Sequence, residues 1–203
     1  MIAEGLQFRG QLLQDRWVYH HLSRLKSCMN EGYFVDIGCN DGVTINNTLV
    51  FEQLGWEGFC VDADPRAFTK ATASRVSPVA KEVVWSSSGE HLMFYQHDES
   101  LLSQVADQGD EAVTVSLNDL LDRFYAPEKI DYISLDVEGA EAEILSGFDD
   151  SKYDITCWTI EHNHNEERLS FIVPWLIERN YLLKFVAWDL FAVKDTHPKV
   201  VKG

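Results

Sequence analysis

The chain has 203 residues, 45% of them hydrophobic, with no shift in composition along its length. It is therefore expected to enclose one core as a single domain, residues 1–203, with residues 1–30 as a helical extension packed on it. A formal charge of −16 argues against nucleic acid as a partner, and the absence of any apolar run near 20 residues, or of a basic, apolar leader, argues against a membrane and for a cytoplasmic protein.

Leu13, Trp17, Leu22 and Leu25 recur at helical spacing and predict an amphipathic helix over 11–25. Residues 33–37 read as a short buried strand, followed by a glycine-containing turn and a helix over 44–54 closed by Gly55. A strand over 58–61 comes next, and Asp64-Pro65 supplies an N-cap and a first-turn proline for a helix to about residue 77. Residues 82–85 read as a third strand, 91–95 as an antiparallel excursion, and the polar, acidic stretch 97–111 as a surface loop. Ser116 with Asp119 opens a helix that Pro127 ends. Residues 130–137 form a fourth strand, 140–145 a short helix and 155–160 a fifth strand. A helix through 169–177 contains Pro174 and is expected either to kink there or to start nearer Val173, and strands over 181–188 and 191–193 close the chain as a hairpin. Cys28, Cys39, Cys60 and Cys157 show no CxxC spacing and read as reduced.

Strands alternating with helices imply a Rossmann-like α/β fold, a mainly parallel sheet with helices on both faces and a C-terminal antiparallel hairpin. Ligands in such folds sit beyond the carboxyl ends of the strands, and three groups of residues fall there. In FVDIGCNDG, the chain turns through Gly38, Cys39, Asn40, Asp41 and Gly42. A dinucleotide site wants glycine where Asn40 stands and few carboxylates beside a pyrophosphate. A cationic cofactor without phosphates, S-adenosylmethionine, fits better, with Asp36 and Asp41 facing its charges and Gly38 and Gly42 admitting it closely. An ordinary strand-turn-helix connection is the bland alternative.

Asp62 ends the second strand 24 positions after Gly38, where nucleotide folds place an acid on the ribose hydroxyls, whereas Asp64 reads as a helix cap. The third group is Asp136, Glu138 and Glu141 with Glu161-His162-Asn163-His164. Carboxylates and imidazoles gathered from neighbouring strand ends suit Mg²⁺ or Mn²⁺, although Glu138 and Glu141 also read as acids stabilising a helix N-terminus. If the chemistry at this rim needs a general base, His164 is the first choice and His162 the second.

With QDRWV, FVDIGCNDGVTINNT, LGWEGFCVDADP, SLNDLL, IDYISLDVEGAEAEIL and TIEHN in order, the chain resembles the FkbM family of methyltransferases from about Gln14 to the final hairpin. The resemblance implies a Rossmann-like class I methyltransferase that modifies a hydroxyl of a sugar or secondary metabolite. It implies that Asp36, Gly38, Asn40 and Gly42 hold the cofactor's methionine end, that Asp62 and Ala63 meet the ribose, and that Asp136, Glu161 and His162 hold a metal. Asp136 counts with the cofactor as well. Asp62-Ala63 replaces a frequent Glu-Pro, and Ser87 stands in the region facing the adenine. The expected partner is a small-molecule or saccharide acceptor, and a homo-oligomer is compatible with the sequence. Two rival readings are a nicotinamide-dependent oxidoreductase or epimerase, and a non-catalytic module that keeps the nucleotide fold.

Overall fold

The computed structural model describes residues 5–196. Its helices are α1 (Gln14–Leu25), α2 (Leu49–Gln53), α3 (Pro65–Ser74), α4 (Leu117–Arg123), α5 (Glu141–Ser146) and α6 (Glu166–Glu178). Its strands are β1 (Tyr33–Ile37), β2 (Glu57–Val61), β3 (Val79–Ala80), β4 (Val83–Trp85), β5 (His91–Tyr95), β6 (Gln104–Ala106), β7 (Asp110–Ser116), β8 (Lys129–Leu135), β9 (Asp154–Glu161), β10 (Tyr181–Val186) and β11 (Asp189–Lys194).

Side chains of a strand alternate between faces, and here both faces are apolar because both are covered. Val35, Ile37, Phe59, Ile133, Leu135 and Trp158 pack against Leu120 and Leu121 of α4, Ile144 and Leu145 of α5, and Ile172 and Leu176 of α6. On the opposite face Phe34, Cys60, Tyr132 and Cys157 meet Val18 and Leu22 of α1, Val50 and Phe51 of α2, and Ala71 of α3. The α1 segment thus belongs to the core of one face. Cys39, Cys60 and Cys157 are buried free thiols within that face.

The main sheet runs β10-β11-β9-β8-β1-β2-β3. The β1, β2, β3, β8 and β9 pairings are parallel, and β11 is antiparallel to both of its neighbours. Since β11 alone is reversed, β10 points the same way as the parallel strands. This is the Rossmann-like arrangement expected from the sequence.

Several local expectations shift. The helix expected over 44–54 begins only at Leu49, because the Asn46 side-chain Oδ1 accepts the N–H groups of Thr48 and Leu49 and holds the preceding residues in a loop. The edge strand of the main sheet is β3, while β4 pairs in parallel with β7 in a second, four-stranded sheet ordered β4-β7-β5-β6. The stretch expected as a loop over 97–111 contains β6 and the start of β7. Pro174 lies inside α6, which continues through it.

Candidate active site

The parallel register places the site. Ile160, Leu135, Ile37 and Val61 stand side by side across β9, β8, β1 and β2. The next residue of each strand is therefore Glu161, Asp136, Gly38 and Asp62, one row at the carboxyl rim, and Asp189 of β11 pairs with Glu161 at its end. A cavity of about 340 Å³ opens above this row. Val61, Val83, Val84, Phe94, Leu102 and Val105 form apolar wall, and Asp62, Asp136, Glu138, Glu161 and Asn163 supply polar groups, with Trp188 also in the lining.

The turn after β1 is more crowded than a simple approach to a ligand requires. Gly38 has φ 87°, and a Cβ there would stand 1.6 Å from the Asp136 carbonyl oxygen, so the strand crossing itself demands glycine. Gly42, at φ 77°, is pressed against Arg75, whose Cγ would lie 2.7 Å from an added Cβ, and it lies outside the cavity lining. Asp41 accepts from the Val43 and Thr44 N–H groups and the Thr44 hydroxyl, which closes the turn. Asp36 faces the α1-α2-α3 layer, where its Oδ2 accepts from Thr48 (2.6 Å) and Asn46 (2.8 Å) with the buried Arg75 guanidinium at 3.7 Å. Gly38 and Asn40 line the cavity.

At the β2 end, Asp62 accepts from the Asn40 N–H (2.7 Å) and the Asp64 N–H (2.9 Å), and it lines the cavity together with Ala63. Asp64 caps α3 as expected, accepting from the Arg66 and Ala67 N–H groups. It also receives the Ser103 hydroxyl, while the Ser100 hydroxyl donates to Asn40 Oδ1 (2.9 Å), so the 97–106 stretch is fastened over the turn. Ser87 is not brought to the cavity. Its hydroxyl meets Glu90 at the surface, and Glu82, Val83 and Val84 occupy the wall instead.

At the β8 and β9 ends, Asp136, Glu138 and Glu161 bring carboxylate oxygens within 4.8 Å of one another. Asn163 donates its amide to Glu161 (2.7 Å) and Glu138 (3.3 Å), while Arg168 is paired with Glu141. Burial, then its neighbouring carboxylates, pushes Glu161 up to about 8; burial and Glu161 push Asp136 up as well. Glu141 behaves as the structural acid, its carboxylate accepting the Val137 and Gly139 N–H groups ahead of α5.

The histidines stand apart from this cluster. His162 Nδ1 accepts the His164 N–H (3.0 Å), which leaves the proton of the neutral ring on a buried Nε2, and neither imidazole lines the cavity. Among the described residues, the group that could hold a metal ion is Asp136, Glu138 and Glu161, with Glu138 in the place the sequence gave to His162.

Buried carboxyls give the rim a pH signature. Burial raises Asp62 to about 7 and Asp189 to about 6, the latter opposed by the Gln14 amide at 2.7 Å. A carboxyl raised on folding binds protons that the unfolded chain has released. Its stabilising contribution is complete below the unfolded value near 4 and is lost as pH rises through the folded value. The melting temperature of the ligand-free protein is thus expected to fall between pH 5 and 8. Asp189→Asn, which keeps an oxygen for Gln14, is expected to flatten that slope by up to about 3 kcal/mol, measured by thermal melts across the range.

A model of the methyltransferase FkbM domain matches residues 36–183, from the first carboxylate of the turn into β10. The chain belongs to this family. No curated relative matches it. Among solved structures it is similar to the magnesium protoporphyrin IX methyltransferase of Synechocystis PCC 6803 with bound S-adenosylmethionine, at 13% identity, TM-score 0.45, and coverage of 90% of this chain and 78% of that one. It is also similar to a TehB-like S-adenosylmethionine-dependent methyltransferase of Corynebacterium glutamicum, at 13% identity, TM-score 0.44, and coverage of 94% and 89%.

The cavity of this FkbM methyltransferase is also lined by residues that the sequence did not single out. Gln11, Asn163 and Trp188 line the cavity, along with Phe94 and Val105 of the second sheet and Leu102 from the turn between β5 and β6. Asn163 and His164 both adopt positive φ (48° and 55°), a conformation uncommon for residues other than glycine, at the point where Asn163 bridges the two glutamates. The EHNH run signalled that place, but its imidazoles drew attention from the amide between them. Among the described residues no helix is long and apolar enough to cross a membrane.

Proposed function

We propose that this methyltransferase transfers the methyl group of S-adenosylmethionine to a hydroxyl of a sugar or another small metabolite, with Mg²⁺ or Mn²⁺ assisting. The observation that carries the reading is the row Glu161, Asp136, Gly38 and Asp62 beneath one cavity, acidic toward β9 and apolar toward the second sheet. Strands about 4.8 Å apart separate the two ends of that row by about 14 Å, room for a nucleoside carrying a short cationic chain.

In this reading Val83, Val84 and Phe94 border the base, and Asp62 accepts hydrogen bonds from the ribose hydroxyls. The amino-acid chain then passes Gly38 and Asn40, which sets the sulfonium toward Asp136. S-adenosylmethionine, when bound, supplies an activated methyl electrophile. The protein's own tasks are to align an acceptor oxygen with it, exclude water and take up a proton.

Asp136, Glu138 and Glu161 fit a hard divalent cation, because they offer three converging oxygen donors with no ion-paired base among the described residues. Such a cation would lower the pKa of an acceptor hydroxyl. Asn163 fixes the orientation of two of the three carboxylates. With both imidazoles off the cavity lining, the proton passes to a carboxylate of the cluster.

The test is release of S-adenosylhomocysteine from S-adenosylmethionine across a panel of sugars and polyhydroxylated metabolites, with added Mg²⁺ or Mn²⁺. Turnover is expected with a hydroxyl acceptor and is expected to fall by at least about tenfold in EDTA. Turnover that ignores EDTA would remove the cation, and transfer confined to amines or thiols would remove the hydroxyl acceptor.

A further inference from the structure

Six carboxyl residues line the cavity, Asp62, Glu82, Glu99, Asp136, Glu138 and Glu161, and among the described residues no lysine, arginine or histidine does. They come from well-separated parts of the fold. Asp62 and Glu161 stand at opposite ends of the rim row, Glu82 directly precedes β4, and Glu99 belongs to the segment between β5 and β6. The negative charge is therefore distributed along the space and is not confined to one cluster.

Four arginines around the rim are each committed to a carboxylate. Arg123 pairs with Glu82, Arg66 with Asp64 (2.6 Å), Arg75 with Glu52 (3.1 Å) and Arg168 with Glu141 (3.7 Å). Among the described residues, Glu82 is thus the one lining carboxylate that has an ion pair. Like charges about 8 Å apart near a protein surface repel enough to cost about tenfold in affinity or more, and a cleft with low-dielectric walls focuses that field. A divalent cation and a sulfonium together would carry fewer positive charges than the lining has carboxylates without an ion pair, so loading the site would not reverse its sign.

We propose that the acceptor is a polyol without phosphate or carboxylate groups, uncharged or amine-bearing, and that the cavity refuses sugar phosphates, nucleotide-linked sugars and uronic acids. The proposal rests on the hydroxyl-acceptor reading above and narrows it to one charge class. It also places the reaction in a sequence: methylation comes before any phosphorylation of the acceptor, or after the sugar has left a diphosphate carrier.

The experiment measures S-adenosylhomocysteine release by the full chain from S-adenosylmethionine, with Mg²⁺ or Mn²⁺ present, using acceptors matched in frame and differing in charge. The set is glucose, glucosamine, glucose 6-phosphate and glucuronate, with myo-inositol beside its monophosphate. For a frame that is turned over, kcat/KM is expected to be at least as high for the amine as for the neutral compound, and at least about tenfold lower for the anions. Added salt is expected to narrow that gap by screening. Glu99→Lys is the second arm, because Glu99 is exposed at the cavity and belongs to no ion pair among the described residues. It is expected to leave the neutral acceptor within about twofold of the native rate and to raise kcat/KM for the phosphate by about fivefold or more.

A phosphate or uronate used at least as well as its neutral counterpart would overturn the proposal. So would a preference for the neutral compound that neither salt nor Glu99→Lys alters, because the discrimination would then be one of size. Absence of turnover with every frame would instead sink the hydroxyl-acceptor reading from which the proposal starts.

Discussion

Glu161→Gln is expected to lower methyl transfer by about 10²- to 10⁴-fold while changing affinity for S-adenosylhomocysteine by less than about threefold. The side chain closes the acidic end of the rim row, three strands from Asp62, which is the acceptor side in the proposed reading. Glutamine preserves its shape and can still accept the Asn163 amide, so a loss of turnover would report the missing charge. The same substitution removes one of three mutually repelling carboxylates, and the ligand-free variant is expected to melt higher than the native chain above pH 7. Steady-state rates, calorimetry and melts on one preparation check all three. Unimpaired turnover would place the chemistry elsewhere.

Gly38→Ala is expected to cost about 3 to 5 kcal/mol, or roughly 10 °C or more in melting temperature, and to reduce the yield of soluble protein. The obstacle is backbone: the new Cβ would lie 1.6 Å from the Asp136 carbonyl oxygen at a φ of 87°, and no rotamer relieves it. Relief requires β1 and β8 to part at the centre of the sheet. Gly42→Ala is a useful contrast, because its nearest obstacle is the Arg75 side chain, which can shift in part. A thermal melt of the two variants should show Gly38→Ala well below Gly42→Ala. Equal, small losses would mean that the crossing is looser than its geometry indicates.

The sequence exposed the parallel strands and the rim well. Apolar runs ending in Asp36-Ile37, Val61-Asp62 and Leu135-Asp136 mark strands buried on both faces, and such strands carry ligands at their carboxyl ends. What it hid depended on long-range pairing. Strand β7 begins with Asp110 and Glu111 and alternates weakly, so its identity comes from pairing with β5 and β4. Likewise Asn163 and Glu138 meet only because β8 and β9 are in register. His164 and His162 had the chemistry of bases, and His162 that of a metal ligand, but a side-chain to backbone hydrogen bond between them engages the His162 ring, and neither imidazole lines the cavity. Gly42 and Asp41 were legible as turn residues, yet their contacts serve the turn and the Arg75 cluster.

If the cavity takes a sulfonium nucleoside as proposed, it should tell S-adenosylhomocysteine from a dinucleotide by stability alone. Thermal unfolding with S-adenosylhomocysteine at about 100 times its dissociation constant is expected to show about 2.7 kcal/mol of stabilisation, and the same concentration of NAD none. Stabilisation by NAD, or by neither compound, would contradict it.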